Sequence, residues 1–146
     1  MSTSTDVRSR SRLVRYGLVM YAIGAWIGMV VLAMLNATFR EVFITPSAGV
    51  YVGHVVTTAT LLALLAVYVS VYFRRMPVHN GRELAAFGVF WAGLTVAFEF
   101  LFGHYVAGQS WAELLALYDL TRGYVWIAVP LFLLVSPTLF GRFLSR

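Results

Sequence analysis

The sequence predicts an all-α integral membrane protein in which four transmembrane helices form an up-down bundle, with a short interfacial helix before the fourth. Of its 146 residues, 60% are hydrophobic and only 12% are charged, whereas soluble domains carry about 25% charged residues. The mean hydropathy is +0.80. Most of the hydrophobic residues lie in four long apolar runs, and most of the charged residues lie between these runs. These observations exclude a water-soluble domain and a disordered chain.

Each apolar run is long enough to cross the hydrocarbon core, which takes about 20 residues of helix. The runs are solid rather than alternating, so they predict helices and not the strands of a closed barrel. The chain therefore reads as one membrane domain over residues 1–146. The predicted spans cover residues 16–35, 48–73, 84–105 and 122–140.

Local capping patterns predict where the second and third spans begin. Thr45 followed by Pro46 is typical of an N-cap and a first helical residue, because proline lacks the N–H that would be unpaired there. Asn80 with Glu83 three residues later resembles a capping box. We expect these two patterns to open the second and third helices.

The segment before the fourth span contains a second capping box and a separate stripe of aromatic residues. Ser110 with Glu113 predicts a short helix over 111–118, too brief to span and placed at the interface. Tyr118, Arg122 and Trp126 are spaced four apart, and we interpret them as an interfacial belt.

Two features inside the spans concern packing. Pro130 lies midway along the fourth predicted span, where it would leave the Trp126 carbonyl without its helical bond and bend the helix. Gly24 and Gly28 form a Gly-x-x-x-Gly pair in the first span. Small residues at this spacing favour close helix contacts, within the bundle or in a homo-oligomer.

The distribution of arginine predicts the orientation in the membrane. If the N-terminus is cytoplasmic, nine arginines lie on that side and two, Arg40 and Arg122, lie on the other. Cytoplasmic loops of membrane proteins carry the excess of positive charge. We therefore expect both termini in the cytoplasm of a bacterial or archaeal cell, with the protein in the inner membrane. Residues 1–12 would form a mobile basic tail near anionic headgroups.

A basic chain in water would indicate nucleic acid as partner. Here the arginines flank apolar segments, so the lipid bilayer is the expected partner and nucleic acid is not. The nine arginines assigned to the cytoplasmic side are Arg8, Arg10, Arg12, Arg15, Arg74, Arg75, Arg82, Arg142 and Arg146.

Polar residues collect at the extracytoplasmic ends of the predicted spans. The candidates for a ligand or ion site are Glu99, His54, His104, Arg40, Arg122 and Asp119. Ionisable side chains inside membrane helices are costly, so they usually face the bundle and have a partner. For Glu99 the expected partner is Arg40 or Arg122, because a bidentate arginine satisfies a carboxylate best. Such a pair would be a structural clamp or part of a site for a proton, a cation or a headgroup.

His54 and His104 lie at comparable depth on the second and third predicted spans. Two opposed imidazoles are the minimum ligand set for a haem, and Glu99 or Asp119 could complete a metal site. Glu99 and His104 are five residues apart, however, and do not share a helix face. The chain has no cysteine. We therefore expect no cofactor, and keep these histidines as the ligands if a metal or haem is bound.

Three functions remain open on the sequence alone. The polar cluster could bind or transport a small solute, an ion or a lipid headgroup. Alternatively, the chain could be a non-catalytic accessory or assembly subunit of a larger membrane complex, or a bis-histidine haem or metal redox protein. The patterns do not favour an enzyme, because glycine-rich phosphate loops, serine nucleophile elbows and paired carboxylates on one helix turn are missing from the sequence.

Overall fold

The computed structural model describes residues 4–75 and 80–144, and within these ranges the chain is helical without strands. Six α-helices run in chain order. They are α1 (Ser4–Phe39), α2 (Thr45–Ala48), α3 (Val50–Arg75), α4 (Gly81–Tyr105), α5 (Trp111–Ala116) and α6 (Ala128–Leu144). A π-helical turn at Arg40–Ile44 joins α1 to α2, and a 3-10 turn at Leu120–Arg122 precedes α6.

Three helical segments are long and apolar enough to cross a membrane: Asp6–Ala48, Val50–Arg75 and Gly81–Tyr105. The fourth apolar helix, α6, is shorter, with 17 residues, or about 25 Å of helix against a hydrocarbon core of ~30 Å. It begins at Ala128 rather than at residue 122, because Gly123 has a φ of +81° that interrupts the helix.

The first helix extends further toward the N-terminus than expected. Residues 4–12 of the segment predicted as a mobile basic tail are helical, because α1 begins at Ser4; residues 1–3 lie outside the described part of the chain. Asp6 lies in the first turn, where a carboxylate interacts favourably with the helix dipole. Its carboxylate lies 3.8 Å from Arg10 one turn later. The Ser9 hydroxyl donates to the Asp6 carbonyl at 2.8 Å.

The connection between α1 and α3 differs from the predicted cap. Thr45 is not an N-cap, because the chain before it is already helical through the π turn. Pro46 lies in the first turn of α2, where its missing N–H removes no helical bond. The break comes instead at Gly49, whose φ of +87° is accessible mainly to glycine. The helix α3 then begins at Val50.

The caps of α4 and α5 follow the sequence patterns more closely. The Asn80 side-chain oxygen accepts from the Arg82 N–H at 3.0 Å, which confirms the N-cap of α4. At α5 the complete capping box is present: Ser110 N–H donates to the Glu113 carboxylate at 2.7 Å, and the Glu113 N–H donates to the Ser110 hydroxyl at 3.2 Å. The short helix ends at Ala116, two residues earlier than predicted.

Pro130 does not bend a long helix as predicted. Because α6 begins at Ala128, Pro130 lies in its first turn, where no N–H is needed. The Trp126 carbonyl accepts from the Val129 N–H at 3.0 Å and is satisfied. The proline in the interior of α6 is Pro137.

The tightest helix contact joins α4 and α6. A Cβ added to Gly88 would overlap the backbone carbonyl of Leu134, so the two helix backbones approach each other directly at this glycine. Nearby, the Leu84 side chain packs into the space left by Gly141. The core around this contact includes Trp91, which is fully buried.

Hydrogen bonds from aromatic side chains attach α1 to the other helices. The Trp91 indole on α4 donates to the Ala22 carbonyl at 3.0 Å. The Tyr68 hydroxyl on α3 donates to the Ala25 carbonyl, also at 3.0 Å. A helix carbonyl has two lone pairs and accepts such a second bond without losing its own. In lipid these donors have no water to bond, so the contacts define where α1 lies.

Only one glycine of the predicted Gly-x-x-x-Gly pair makes a close contact with another helix. A Cβ at Gly28 would overlap the Tyr68 ring, so this glycine makes room for the tyrosine on α3. Around Gly24 the space is open. Among the glycines of the described residues, Gly88 is the one at which the backbone of another helix comes closest, which the Gly-x-x-x-Gly pattern did not indicate.

Candidate functional site

The predicted polar residues lie at one end of the bundle, where α1 and α4 finish and α3 and α6 begin. We call this the distal end, and the opposite end the proximal end. Five of the six candidates form three separate groups there rather than one cluster. Glu99 belongs to the first, Arg40 and His54 to the second, and Asp119 with Arg122 to the third. His104 lies apart from all three.

Glu99 on α4 is paired with an aromatic hydroxyl and not with an arginine. The Tyr118 hydroxyl donates to its carboxylate, and the Trp126 indole N–H is a second hydrogen-bond donor to it. Tyr118 is held in place by stacking on Phe100, with ring centroids 5.8 Å apart. The expected ion pair with Arg40 or Arg122 is therefore replaced by neutral donors from the segment before α6.

Glu99 also lines a cavity of about 210 Å³ that is partly open to the surface. The polar groups of the lining besides Glu99 are the Thr95 hydroxyl and the indoles of Trp26 and Trp126. The Trp26 indole donates to Thr95 at 3.1 Å. Apolar side chains of α1, α3, α4 and α6 form the other walls, among them Met29, Leu61, Leu65 and Leu133. The arrangement places one carboxylate on the wall of an apolar space between four helices.

The burial of this region changes the pKa of the Tyr118 hydroxyl. Burial raises the pKa of Tyr118 above its ordinary value, and the neighbouring Glu99 carboxylate raises it further. The phenol therefore remains protonated and donates to the carboxylate throughout the ordinary pH range. Tyr118 thus acts as a permanent hydrogen-bond donor to Glu99.

His104, near the end of α4, contacts α5 and the segment before it. Its ring stacks on Trp111 with centroids 3.9 Å apart. Its Nδ1 lies 2.8 Å from the Gln109 carbonyl oxygen; a carbonyl only accepts, so Nδ1 carries a proton. Beside it, Gly103 leaves the space that the Leu114 side chain fills.

Arg40 lies at the centre of the second group. Its guanidinium makes an ion pair with Glu41 at 2.8 Å and lies 3.3 Å from Nδ1 of His54. Because a guanidinium only donates, Nδ1 of His54 is the acceptor and the neutral ring carries its proton on Nε2. The His54 ring meets Tyr124 edge-on at 5.9 Å. The Arg40 side chain is 19% exposed, so this group is partly enclosed.

The third group closes the turn before α6. Asp119 caps the 3-10 turn by accepting from the Thr121 N–H at 3.0 Å and from the Thr121 hydroxyl. The hydroxyl bond is the main reason that the pKa of Asp119 lies below its ordinary value. Arg122 lies 3.3 Å from the same carboxylate. Both partners are partly solvated, so the pair contributes little beyond stabilising the turn, and neither residue lines the cavity.

The histidines predicted as metal or haem ligands have separate surroundings. His54 contacts Arg40 and Tyr124, whereas His104 contacts Trp111 and Gln109. In residues 4–75 and 80–144, no group of three or more histidine, aspartate or glutamate side chains is placed to hold a metal ion.

The sequence pattern predicted a different role for Tyr118 and Trp126, the two partners of Glu99. The spacing of Tyr118, Arg122 and Trp126 indicated one helix face and an interfacial belt. The chain between Tyr118 and Trp126 is instead a turn containing the 3-10 segment. Tyr118 and Trp126 therefore converge on Glu99, while Arg122 contacts Asp119. In a continuous helix Tyr118 and Trp126 would share a face but lie about 12 Å apart along the axis, whereas the turn brings both to one carboxylate.

Comparisons with known protein families, curated proteins and solved structures found no match. The functional interpretation of this membrane protein therefore depends on the geometry of its own residues.

Proposed function

We propose that the protein is a four-span membrane protein that binds a small, largely apolar solute bearing a cationic group. The solute would occupy the cavity between α1, α3, α4 and α6, with Glu99 as its anionic contact. The observation that carries this proposal is the carboxylate of Glu99 on the wall of an apolar cavity. Intramembrane acidic residues of this kind commonly mark ligand or ion sites.

The proposed topology makes α6 the fourth span. It is an apolar helix of 17 residues, and residues 124–127 before it carry no charge and continue the apolar stretch. Four spans place both termini on the proximal side. The excess of arginine on that side supports a cytoplasmic location for it, in a bacterial or archaeal cell membrane.

The size and lining of the cavity define the class of solute. At about 210 Å³, it is smaller than the ~300–1,000 Å³ of pockets that hold drug-sized ligands. Its walls are apolar apart from Glu99, Thr95 and the two tryptophan indoles. A single ring or short alkyl chain with one polar group therefore fits its chemistry better than a sugar or nucleotide.

The charge of the site favours a cation. Arg40 and Arg122 are each paired with an acid of their own outside the cavity. Tyr118 and Trp126 supply two donors to Glu99, whereas a carboxylate offers about four acceptor positions. The remaining positions are available to an ammonium group, and a charge-assisted hydrogen bond there is stronger than a neutral one.

Benzylamine is a suitable probe, with benzyl alcohol and benzoate as neutral and anionic analogues of the same ring. Binding to the full chain in detergent micelles is measured by intrinsic fluorescence, because Trp26 and Trp126 both line the cavity. We expect saturable binding of benzylamine. In Glu99→Gln the dissociation constant should rise about tenfold, equivalent to about 1.4 kcal/mol, with little change for benzyl alcohol.

The substitution Glu99→Gln is chosen because its amide oxygen still accepts from Tyr118, so the variant should fold. Glu113→Gln is the matched control, since Glu113 lies in the α5 capping box outside the cavity and glutamine also completes such a box. Equal benzylamine affinity in wild type and Glu99→Gln, or equal binding of benzoate, would refute the proposal. A loss of melting temperature in Glu99→Gln without any amine preference in the wild type would instead identify a structural clamp.

A further inference from the structure

A second apolar hollow, distinct from the Glu99 cavity, lies between α1 and α3 toward the proximal end. This groove has a volume of about 780 Å³ and opens on the surface of the bundle. Leu32 and Leu64 line its deep end, and Tyr21, Tyr72 and Arg75 line its proximal end. A smaller hollow of about 390 Å³ adjoins it and shares the walls formed by Tyr21, Tyr68 and Tyr72.

We propose that this groove binds one anionic phospholipid from the leaflet on the proximal side. One acyl chain would lie along the apolar walls, and the phosphate would lie at Arg75. A groove that is apolar along its length and basic at one end has the same polarity pattern as an anionic lipid. The occupant is a lipid rather than a second copy of this chain. In a dimer joined at this groove, the arginines at the proximal ends of the two copies would lie close together and repel each other.

The length of the groove matches one leaflet. The stretch of α3 from Leu64 to Arg75 rises about 16 Å at 1.5 Å per residue. Half of the hydrocarbon core is about 15 Å. A chain that starts at the headgroup level beside Arg75 would therefore reach the level of Leu64 near the middle of the bilayer.

The charge at the proximal end is complementary to a phosphate. Arg74 and Arg75 form the last turn of α3, and further arginines of α1 lie at the same end of the bundle. Among the residues that the structure describes, Arg75 makes no ion pair. Arginine binds phosphate oxygens through paired N–H donors, and basic residues next to a membrane span attract anionic headgroups by about 1 kcal/mol each.

A hydroxyl at the same end strengthens the assignment. The Tyr72 hydroxyl is buried on the groove wall and has no hydrogen-bond partner within 4–75 and 80–144. By contrast, the Tyr68 hydroxyl is satisfied by the Ala25 carbonyl. An unpaired buried hydroxyl costs free energy. The Tyr72 oxygen is shielded by neighbouring side chains, so the Tyr72 ring would turn toward the groove to donate to an ester or phosphate oxygen of a lipid beside Arg75.

The test uses the full chain, delipidated in detergent and titrated with phosphatidylglycerol or phosphatidylcholine of identical acyl chains. Melting is followed by intrinsic fluorescence. We expect phosphatidylglycerol to raise the melting temperature at a concentration at least tenfold below that needed for phosphatidylcholine. In Arg75→Gln this difference should disappear, whereas Arg74→Gln, an exposed neighbour that does not line the groove, should retain it.

A groove-filling variant gives an independent measurement. Val67 lines the groove and is 64% exposed, so Val67→Trp should fold and weaken the response to both lipids. Equal responses to the two lipids in the wild type, or an unchanged phosphatidylglycerol preference in Arg75→Gln, would overturn the proposal. A disulfide-linked dimer formed in membranes by Val67→Cys would also overturn it, because a second copy would then occupy the groove.

Discussion

Gly88 offers the most direct test of how the bundle is packed, through the substitution Gly88→Ala. A Cβ at this position would lie against three backbone atoms of Leu134, including its carbonyl oxygen. Backbone cannot rotate away as a flexible side chain does, so α4 and α6 would have to separate. We expect the variant to be destabilised for this reason.

The magnitude follows from two opposed terms. Overpacking a well-packed contact costs about 1–3 kcal/mol, whereas replacing glycine by alanine inside a helix gains about 1 kcal/mol. Gly93→Ala is the matched control, because Gly93 lies on the same helix with no neighbour within 4 Å of its added Cβ. The gain in helix propensity is common to both variants. The difference between their free energies of unfolding therefore measures the cost of overpacking at Gly88.

The assay is reversible unfolding in mixed micelles with an increasing mole fraction of sodium dodecyl sulfate, followed by circular dichroism. Gly93→Ala should be as stable as the wild type or slightly more so, with Gly88→Ala about 1–3 kcal/mol below it. If the two variants unfold at the same detergent fraction, the close approach of α4 and α6 at Gly88 is refuted.

Two further predictions concern hydrogen bonds. In a double-mutant cycle of Trp26→Phe and Thr95→Val, the bond between these side chains should give a coupling free energy of about 0.6 kcal/mol, the average inside membranes; a coupling near zero would contradict it. Asp119 has a lowered folded pKa, caused mainly by the Thr121 hydroxyl. The stability it contributes is therefore present above its ordinary pKa and lost as the pH falls through the lowered value. An NMR titration should show the Asp119 pKa rising in Thr121→Val, and an unchanged pKa would count against this cause.

Much of the secondary structure could be predicted because its signals are local. The apolar runs that became α1, α3 and α4 are visible in composition alone, and the capping box at Ser110 needs only residues within one helical turn. Helix boundaries were predicted wrongly where the conformation of the preceding residues prevented a typical capping sequence from acting as a cap. Thr45 resembles a cap, but the helix does not stop before it, and the break is set by the positive φ of Gly49.

The partners of the candidate site residues could not be predicted in the same way. The sequence indicated that Glu99 needs a partner inside the bundle, and arginine was the strongest candidate by charge. The structure supplies Tyr118 and Trp126 instead. Their approach depends on an irregular turn between two helices, and no helical or strand period relates residues across such a turn.

The sequence by itself determined that the segments forming α1, α3 and α4 are long and apolar enough to cross a membrane, because the transfer of apolar residues into lipid is additive along the chain. It also determined where helices α4 and α5 begin, because N-capping involves only residues within one helical turn. Only the tertiary structure decided that Gly88 rather than Gly24 makes the closest contact, and that Glu99 lines a cavity. Both depend on how each helix is rotated about its axis against its neighbours, and that rotation is set by packing among residues far apart in the chain.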